Sequence, residues 1–294
     1  GTNMMTNDYD SEDSSVKLIL DTDTSTGVLG AEIDDGFAIL LCLALEKLGK
    51  VRLLGITEVA GNTNVDQGVM CALKMLELTG RGDIPVYKGV GRPLVLEKRK
   101  PPFNPDTVTE PLGSAPKNCQ QQEHAVDFII QKAREFPGQI TLVPIGPLMN
   151  IAMAILKDPD IIPLIKEIVA MGGEFNGVFF PGGFNWWFCP HSAQIVLRAG
   201  IPITIVPTDV TVKTALTLKQ LNSLGEGELV NWLKGASEPF MTHKAGEEKA
   251  AYLHDPLAVA IAVDKTIAKQ SRELYVDTII DGPWAGMTIG QETT

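Results

Sequence analysis

Short runs of apolar, often β-branched residues alternate along the chain with segments whose apolar residues recur every three to four positions. The first run, Val16–Leu20, predicts a strand, and the segment after it predicts a helix that starts near Asp34. Further strands are predicted at Val51–Val59, Ile84–Tyr87, Ile140–Pro144, Ile165–Met171, Ile201–Val206 and Tyr275–Ile280. Further helices are predicted at Asn64–Thr79, Glu123–Glu135, Leu148–Leu156 and Pro190–Ala199. This alternation indicates an α/β fold with an open, mostly parallel sheet and helices on both faces.

No low-complexity linker divides the chain of 294 residues, so residues 16–294 are expected to form a single domain. The segment Gly1–Ser15 is polar and acidic and lacks the apolar stretch of a signal peptide, which predicts a flexible tail. The segment Glu97–Pro116 is rich in proline and has no periodicity, which predicts a long loop. Ligands of open parallel sheets bind beyond the carboxyl ends of the strands, so chemistry is expected in residues that directly follow strands.

The formal net charge of −11 disfavours nucleic acid and anionic membranes as partners and suits a cation. No apolar run approaches the roughly 20 residues that a membrane-spanning helix needs. The four cysteines form no CxxC pair and, in a chain of this length, do not indicate a disulfide framework. These features predict a cytoplasmic protein with reduced thiols.

Five acidic residues lie within fifteen positions after the first predicted strand, with no lysine or arginine among them: Asp21, Asp23, Glu32, Asp34 and Asp35. Like charges gathered at one place repel each other, and a bound cation compensates them. Ligands that are all oxygen favour a hard ion, Ca²⁺ or Mg²⁺.

Three structural interpretations of these acids stay open. Asp34 and Asp35 are also typical of a helix N-terminus, where they complement the helix dipole. Asp21 and Asp23 are also typical of turns. The spacing partly matches an EF-hand loop, although its glycine falls one place late at Gly27 and a strand precedes it instead of a helix.

Four further polar segments stand at predicted strand ends or helix starts: Val59–Asn62, Leu142–Asn150, Gly182–Pro190 and His254–Pro256. Each has a structural interpretation when taken alone: a turn, an exposed strand end, an aromatic loop packed over a core, and a helix cap. Their common placement favours a shared site.

In chain order, the acidic segment and these polar segments resemble the inosine–uridine-preferring nucleoside hydrolases. The resemblance rests on DxD…DD at Asp21–Asp35, Gly61-Asn62, Val143–Asn150, Met171–Gly173, Phe184-Asn185 and His254–Pro256, and it covers nearly the whole chain. It implies calcium-dependent hydrolysis of the N-glycosidic bond of a ribonucleoside or related riboside, which releases nucleobase and ribose. Such a reaction serves purine or pyrimidine salvage. The implied partner is a small nucleoside-like molecule, and a homo-oligomer, dimer or tetramer, stays open.

The resemblance also implies roles for individual residues. Ca²⁺ would be held by Asp21, Asp35, Asp255 and the main-chain carbonyl of Ile145. The substrate would be bound by Asp34, Asn62, Met171 and Asn185. Asp21 would act as general base, and His254 is a candidate acid beside the leaving base.

Several departures from the family pattern are present. The compact DxDPGxDD segment is interrupted here by about six extra residues and lacks its Pro-Gly. Gly183 replaces a glutamate expected to bind the ribose 5′-hydroxyl, which predicts a substrate without a free 5′-hydroxyl, unless Glu174 or Asn176 reaches that position. Cys189 replaces an aspartate, and Glu97–Pro116 contains no histidine.

The chain also ends at Thr294, where the family pattern continues through another strand and helix. These departures keep open an alternative function, a non-catalytic protein of the same fold that binds a nucleoside or ribosyl ligand.

Overall fold

In the computed structural model, which describes residues 13–96, 98–177, 182–243 and 249–293, a parallel sheet of six strands forms the centre. Its strands are β1 (Val16–Thr22), β2 (Val51–Glu58), β3 (Val86–Lys88), β4 (Ile140–Pro144), β5 (Ile165–Met171) and β6 (Ile203–Val206). Their order in the sheet is β3-β2-β1-β4-β5-β6. The order reverses between β1 and β4, which is the place where doubly wound sheets bind ligands.

Two short antiparallel pairs lie outside this sheet: β7 (Ala215–Thr217) with β8 (Ala250–Tyr252), and β9 (Leu274–Thr278) with β10 (Thr288–Glu292). The helices are α1 (Asp34–Lys47), α2 (Val65–Leu78), α3 (Ala125–Glu135), α4 (Met149–Lys157), α5 (Phe184–Phe188), α6 (Pro190–Arg198), α7 (Thr208–Thr211), α8 (Leu218–Asn222), α9 (Glu228–His243) and α10 (His254–Val263). Short 3₁₀ helices occur at Pro159–Leu164, Lys265–Ile267 and Gly282–Trp284. Within the described residues, no helix combines the length and the apolar character that a membrane crossing requires.

Helices cover both faces of the sheet, and successive residues of a strand point to opposite faces. Leu18 and Leu20 pack with α1, α2 and α10 on one face, while Ile19 packs with α3, α4 and α6 on the other. Each of these three side chains is fully buried, which contributes about 1.5–3 kcal/mol per residue. This two-sided burial explains why the strands are continuous apolar runs.

The sequence-based boundaries of β4 and β5 are confirmed, and those of β1, β2 and the four helices predicted with both ends agree to within two residues. Helix α1 begins at Asp34, as predicted. The strand predicted at Tyr275–Ile280 is present as β9, but it pairs with β10 outside the central sheet. The segment predicted as the loop Gly182–Pro190 contains the short helix α5. Residues 98–116 contain no helix or strand beyond an isolated bridge. The tail predicted at Gly1–Ser15 lies outside the described residues, apart from its last three.

Candidate active site

Predicted site residues follow the two strands at which the strand order reverses. Asp21 is the penultimate residue of β1, Asp23 follows the end of that strand, and Ile145 is the first residue after β4. The main-chain N–H of Ile145 donates to the main-chain oxygen of Asp21 over 2.8 Å, so the two strand ends lie side by side. The parallel pairing of β1 with β4 therefore brings two distant parts of the sequence to one edge of the sheet.

Three aspartates from two helix N-termini form a carboxylate cluster. Asp34 and Asp35 are the first residues of α1, and Asp255 lies in the first turn of α10. One carboxylate oxygen of each lies within 4.8 Å of the others, and all three residues are buried. The N–H of Asp255 donates to Oδ2 of Asp34 over 2.9 Å, which joins the two helix ends. Helix N-termini stabilise anions, but three buried carboxylates at one place still repel each other.

Asp23 adds a fourth buried carboxylate beside this cluster. Its Oδ2 accepts the N–H of Asn62 over 2.8 Å, while its buried Oδ1 has no hydrogen-bond partner. Burial, and next the negative charge of Asp35, raise the pKa of Asp23 well above its usual range. Glycines make room for this side chain, because a Cβ at Gly61 would stand 2.2 Å from Oδ2 and one at Gly146 would stand 3.0 Å from Oδ1. Asp23 is thus a buried carboxylate with one oxygen left for a further ligand.

The extra residues between the two aspartate pairs wrap around Asp35. The N–H and hydroxyl of Ser25 each donate to Oδ2 of Asp35 over 3.1 Å. The N–H and hydroxyl of Thr26 donate to Oδ1 over 3.2 and 2.6 Å. Burial, and next the charge of Asp34, raise the pKa of Asp35 to about 6, although these donors oppose that rise. The inserted loop therefore orients the Asp35 carboxylate and stabilises its charged form.

Asp255 is repelled by every other acid of the group. Burial, and then the charges of Asp34, Asp23 and Asp35, raise its pKa well above the usual range, and Glu32 of the inserted loop adds to this rise. Five acidic side chains thus interact at this place: Asp23, Glu32, Asp34, Asp35 and Asp255. The arrangement can bind a cation.

Asp21 is held by hydrogen bonds and does not share in the charge repulsion of the carboxylate cluster. Its Oδ2 accepts the hydroxyl of Thr57 over 2.6 Å and the amide of Asn150 over 2.7 Å. Burial raises the pKa of Asp21 to about 7, against these two hydrogen bonds, and no charge of the cluster contributes to that shift. The sequence assigned Asp21 as both metal ligand and general base, but its geometry is that of a group holding β1, β2 and α4 together.

Asn185, Ile145 and Met171 meet at the ends of β4 and β5. The side-chain amide of Asn185 donates to the main-chain oxygens of Ile145 and Met171, each over 3.0 Å. Asn62, on the other side, donates to Oδ2 of Asp35 over a long 3.4 Å. The structure thus joins Asn185 and Met171 at the strand ends, and it joins Asn62 to the cluster residue Asp35.

His254, the first residue of α10, precedes the cluster residue Asp255. Its Nδ1 lies 2.5 Å from the hydroxyl of Thr211, and its ring meets that of Tyr252 edge to face at 5.6 Å. These contacts fix the direction of the imidazole. Sequence analysis pointed to His254 but not to Thr211, which lies 43 positions away and carries no motif of its own.

The predicted aromatic loop contributes differently from expectation. Trp186 is fully buried, so it offers no ring to a ligand, whereas Trp187 is half-buried beneath the guanidinium of Arg99 at 4.5 Å. Gly183 has a φ of 77° and a ψ of 156°, a conformation that only glycine adopts without strain. A side chain at that position would therefore strain the backbone that leads into α5.

Sequence reasoning missed the residues that hold the site together: Ser25, Thr26, Thr57, Glu58 and Asn150. Asn150 was part of a noted motif, and Ser25 and Thr26 stood inside the acidic segment, but no role was assigned to them. A search for hydroxyl side chains inside the acidic segment after β1 would have drawn attention to Ser25 and Thr26. Asn150, Thr57 and Glu58 lie at other strand ends and helix starts, and their spacing indicates no contact with these acids.

Comparison with known proteins gives a consistent result. The family described as inosine-uridine preferring nucleoside hydrolase matches residues 18–294. An uncharacterized protein of Schizosaccharomyces pombe is 37% identical over 264 residues, which cover 83% of this chain and 79% of that protein. The pyrimidine-specific ribonucleoside hydrolase RihB of Escherichia coli is 31% identical over 293 residues, covering 94% of this chain and 87% of the relative.

Solved structures agree with the sequence relatives. A plant nucleoside hydrolase is 28% identical, with a TM-score of 0.82, and the match covers 95% of this chain and 87% of that chain. A purine-preferring ribonucleoside hydrolase from Gardnerella vaginalis is 31% identical, with a TM-score of 0.76 and coverages of 94% and 88%. Given the family match over nearly the whole chain and the buried carboxylates at the strand reversal, this protein belongs to the inosine-uridine preferring nucleoside hydrolase family and is a hydrolase of N-glycosyl bonds.

Proposed function

We propose that this protein uses Ca²⁺ to hydrolyse the N-glycosidic bond of a ribonucleoside or related riboside, releasing nucleobase and ribose. The observation that carries the proposal is the buried, unpartnered Oδ1 of Asp23 beside the carboxylate cluster. An orphaned buried carboxylate oxygen is costly to leave unsatisfied, and a cation satisfies it. The carboxylates of the cluster and the main-chain carbonyl of Ile145 offer oxygen ligands, which suits Ca²⁺.

The residues fit a calcium ion when Asp23 takes the place first assigned to Asp21. Asp23, Asp35, Asp255 and the carbonyl of Ile145 are the proposed ligands. Asp21 also has a buried oxygen without a hydrogen-bond partner, but it is replaced because its other oxygen accepts two hydrogen bonds and because it does not interact with the cluster charges. When bound, such an ion positions a water molecule and lowers its pKa.

The protein's own groups supply the remaining chemistry. We assign Asp23 as the general base, since calcium acidifies water less strongly than zinc and a neighbouring carboxylate is still needed. Asp34, Asn62, Asn185 and Met171 are the proposed contacts of the ribose. The buried carboxylates stabilise the positive charge that develops on the sugar as the glycosidic bond breaks.

The leaving base departs more easily when it is protonated. His254 is the proposed proton donor, and the contact between the Thr211 hydroxyl and Nδ1 orients its imidazole. General acids of this kind typically contribute about 10²–10⁴-fold to the rate.

The relatives do not select one nucleobase for this chain, because their names include both pyrimidine-specific and purine-preferring enzymes. Gly183 supports a substrate whose 5′ position is substituted. Only glycine adopts the backbone conformation at this position without strain, so the local fold disfavours a glutamate there.

All four cysteines are free, which supports a cytoplasmic role in nucleoside salvage.

One assay tests the function and the metal together. The full chain is incubated with purine and pyrimidine ribonucleosides, their 5′-phosphates and their 5′-deoxy forms, with CaCl₂ or with EDTA, and free ribose or its 5′-derivative is measured. Asp160→Asn, an exposed acid away from the site, is the control variant. We expect release in CaCl₂ and its loss in EDTA. No release from any riboside would refute the activity, and release that persists in EDTA would refute the metal.

A further inference from the structure

Glu58, the last residue of β2, is a fully buried acid that the proposed mechanism does not use. Both of its carboxylate oxygens accept hydrogen bonds from one residue, Thr24. The hydroxyl of Thr24 donates to Oε1 over 2.6 Å, and its main-chain N–H donates to Oε2 over 3.1 Å. This double contact fixes the backbone and the side chain of Thr24 at the same time.

The surroundings of Glu58 are shaped to admit it. A Cβ at Gly68 in α2 would stand 2.6 Å from Oε2, so a glycine is needed there for the carboxylate to approach. The main-chain oxygen of Glu58 accepts the amide of Asn150 over 3.0 Å. Burial raises the pKa of Glu58, the charges of Asp35 and Asp23 add to the rise, and the donors of Thr24 oppose it. An acid at this place therefore destabilises the fold unless its hydrogen bonds compensate.

Thr24 occupies the position between the two parts of the proposed calcium site. It directly follows Asp23, and it directly precedes Ser25 and Thr26, whose four donors hold the Asp35 carboxylate. Any rotation of the backbone at Thr24 would move Asp23 on one side and these donors on the other. Among the described residues, Glu58 is the one carboxylate that accepts the main-chain N–H of Thr24.

We infer that Glu58 is a positioning residue, which holds Thr24 so that Asp23 and the donors of Asp35 are correctly placed for the cation. This role rests on the proposed function only in naming calcium as the ion. A purely structural role, in which Glu58 merely fills the space beside α2, makes a different prediction. In that case its replacement would change stability and leave the affinity for the ion unchanged.

The test is a calorimetric titration of the full chain with CaCl₂ in wild type, Glu58→Gln, Thr24→Val and the double variant. Glutamine keeps one acceptor oxygen and loses the other, and valine keeps the shape of threonine without its hydroxyl. Groups that hold a metal ligand in place typically change metal affinity by about 10–100-fold when they are replaced. We expect a loss in this range for each single variant, and no further loss in the double variant, because both changes break the same contact.

Two controls separate positioning from packing. Glu46→Gln alters a carboxylate away from the site that also accepts a main-chain N–H, from Leu53 over 2.7 Å, and it should keep wild-type affinity. Thr24→Ser retains the hydroxyl and should also keep wild-type affinity. The comparison of Thr24→Ser with Thr24→Val serves as the test if Glu58→Gln does not fold. Wild-type affinity in Glu58→Gln or in Thr24→Val, or losses that multiply in the double variant, would overturn the role of Glu58.

A wild type that binds no Ca²⁺ would refute the calcium assignment instead. The same variants would then be compared by kcat/KM for ribose release. A positioning role predicts at least a tenfold fall for Glu58→Gln and Thr24→Val with an unchanged value for Glu46→Gln. Equal values in all variants would exclude it.

Discussion

Two aspartates that are two positions apart, Asp21 and Asp23, should respond in opposite ways to the same isosteric change. Both are buried, and each has one oxygen that lacks a hydrogen-bond partner. Only Asp23 interacts with the charges of Asp35 and Asp34. Replacement by asparagine keeps the size of the side chain and removes its charge, so Asp23→Asn and Asp21→Asn form a matched pair.

For Asp23→Asn we expect the loss of a metal ligand and of the general base. Loss of the base alone should lower kcat by about 10²–10⁴-fold. The N–H of Asn62 now donates to Oδ2 over 2.8 Å. The amide keeps this hydrogen bond only when its oxygen faces Asn62, and its NH₂ group then takes the position of Oδ1. The weaker charge should reduce affinity for Ca²⁺ strongly, because ligand charge helps to set calcium affinity.

For Asp21→Asn we expect retained calcium binding and a more stable protein at neutral pH. An asparagine oxygen can accept from Thr57 and Asn150 as Oδ2 does now. Burial raises the pKa of Asp21 from 3.8 to about 7. Each pKa unit corresponds to 1.36 kcal/mol, so ionising this group inside the fold costs about 4 kcal/mol relative to the unfolded chain.

The sign of the pH dependence follows from the direction of this shift. Because the folded pKa lies above the unfolded one, the folded state binds more protons between about pH 4 and pH 7. The contribution of Asp21 to stability is therefore full below pH 4, falls as the pH rises to about 7, and stays low above it. Asp21→Asn removes this dependence, so its stability advantage over wild type should grow from pH 5 to pH 8.

The assay combines calcium titration, ribose release and urea unfolding of the metal-free protein at pH 5 and pH 8. Asp160→Asn again controls for the loss of one negative charge at the surface. The reasoning would be refuted if Asp21→Asn lost calcium and Asp23→Asn kept it. It would also be refuted for Asp21 if the stability of Asp21→Asn relative to wild type did not change with pH.

The remaining predictions concern the ribose, the leaving group and the backbone before α5. Asn185→Leu removes two hydrogen bonds to main-chain oxygens, so the free energy of unfolding should fall by about 1–3 kcal/mol and KM should rise; an unchanged KM would exclude a contact with the ribose. His254→Ala should lower kcat far more for natural nucleosides than for p-nitrophenyl riboside, whose leaving group needs little protonation, and equal losses would remove His254 from the mechanism. Gly183→Ala should lower the free energy of unfolding by about 1–3 kcal/mol more than a surface change such as Lys166→Ala, as urea unfolding would measure, and an equal effect would contradict the strain at φ 77°.

Local patterns determined the order and type of the main elements. Strands β4 and β5 could be bounded correctly because each is an uninterrupted apolar run, and burial on both faces is what such runs require. The acids after β1 could be recognised as a group because they follow one strand within fifteen positions. The elements between Pro207 and Tyr252 were not predicted, because β7 and β8 are three residues long and α9 contains a proline.

The sequence by itself thus determined that carboxylates gather at the end of β1 in a parallel α/β fold, since strand periodicity and charge are local properties. Only the tertiary structure decided which of them share the site. Asp21 is engaged by Thr57 and Asn150, which lie 36 and 129 positions away, while Asp23 is left beside Asp35. The choice depends on which donors β2 and α4 bring to each carboxylate, and packing between distant segments fixes that, with no trace in the spacing of the acids.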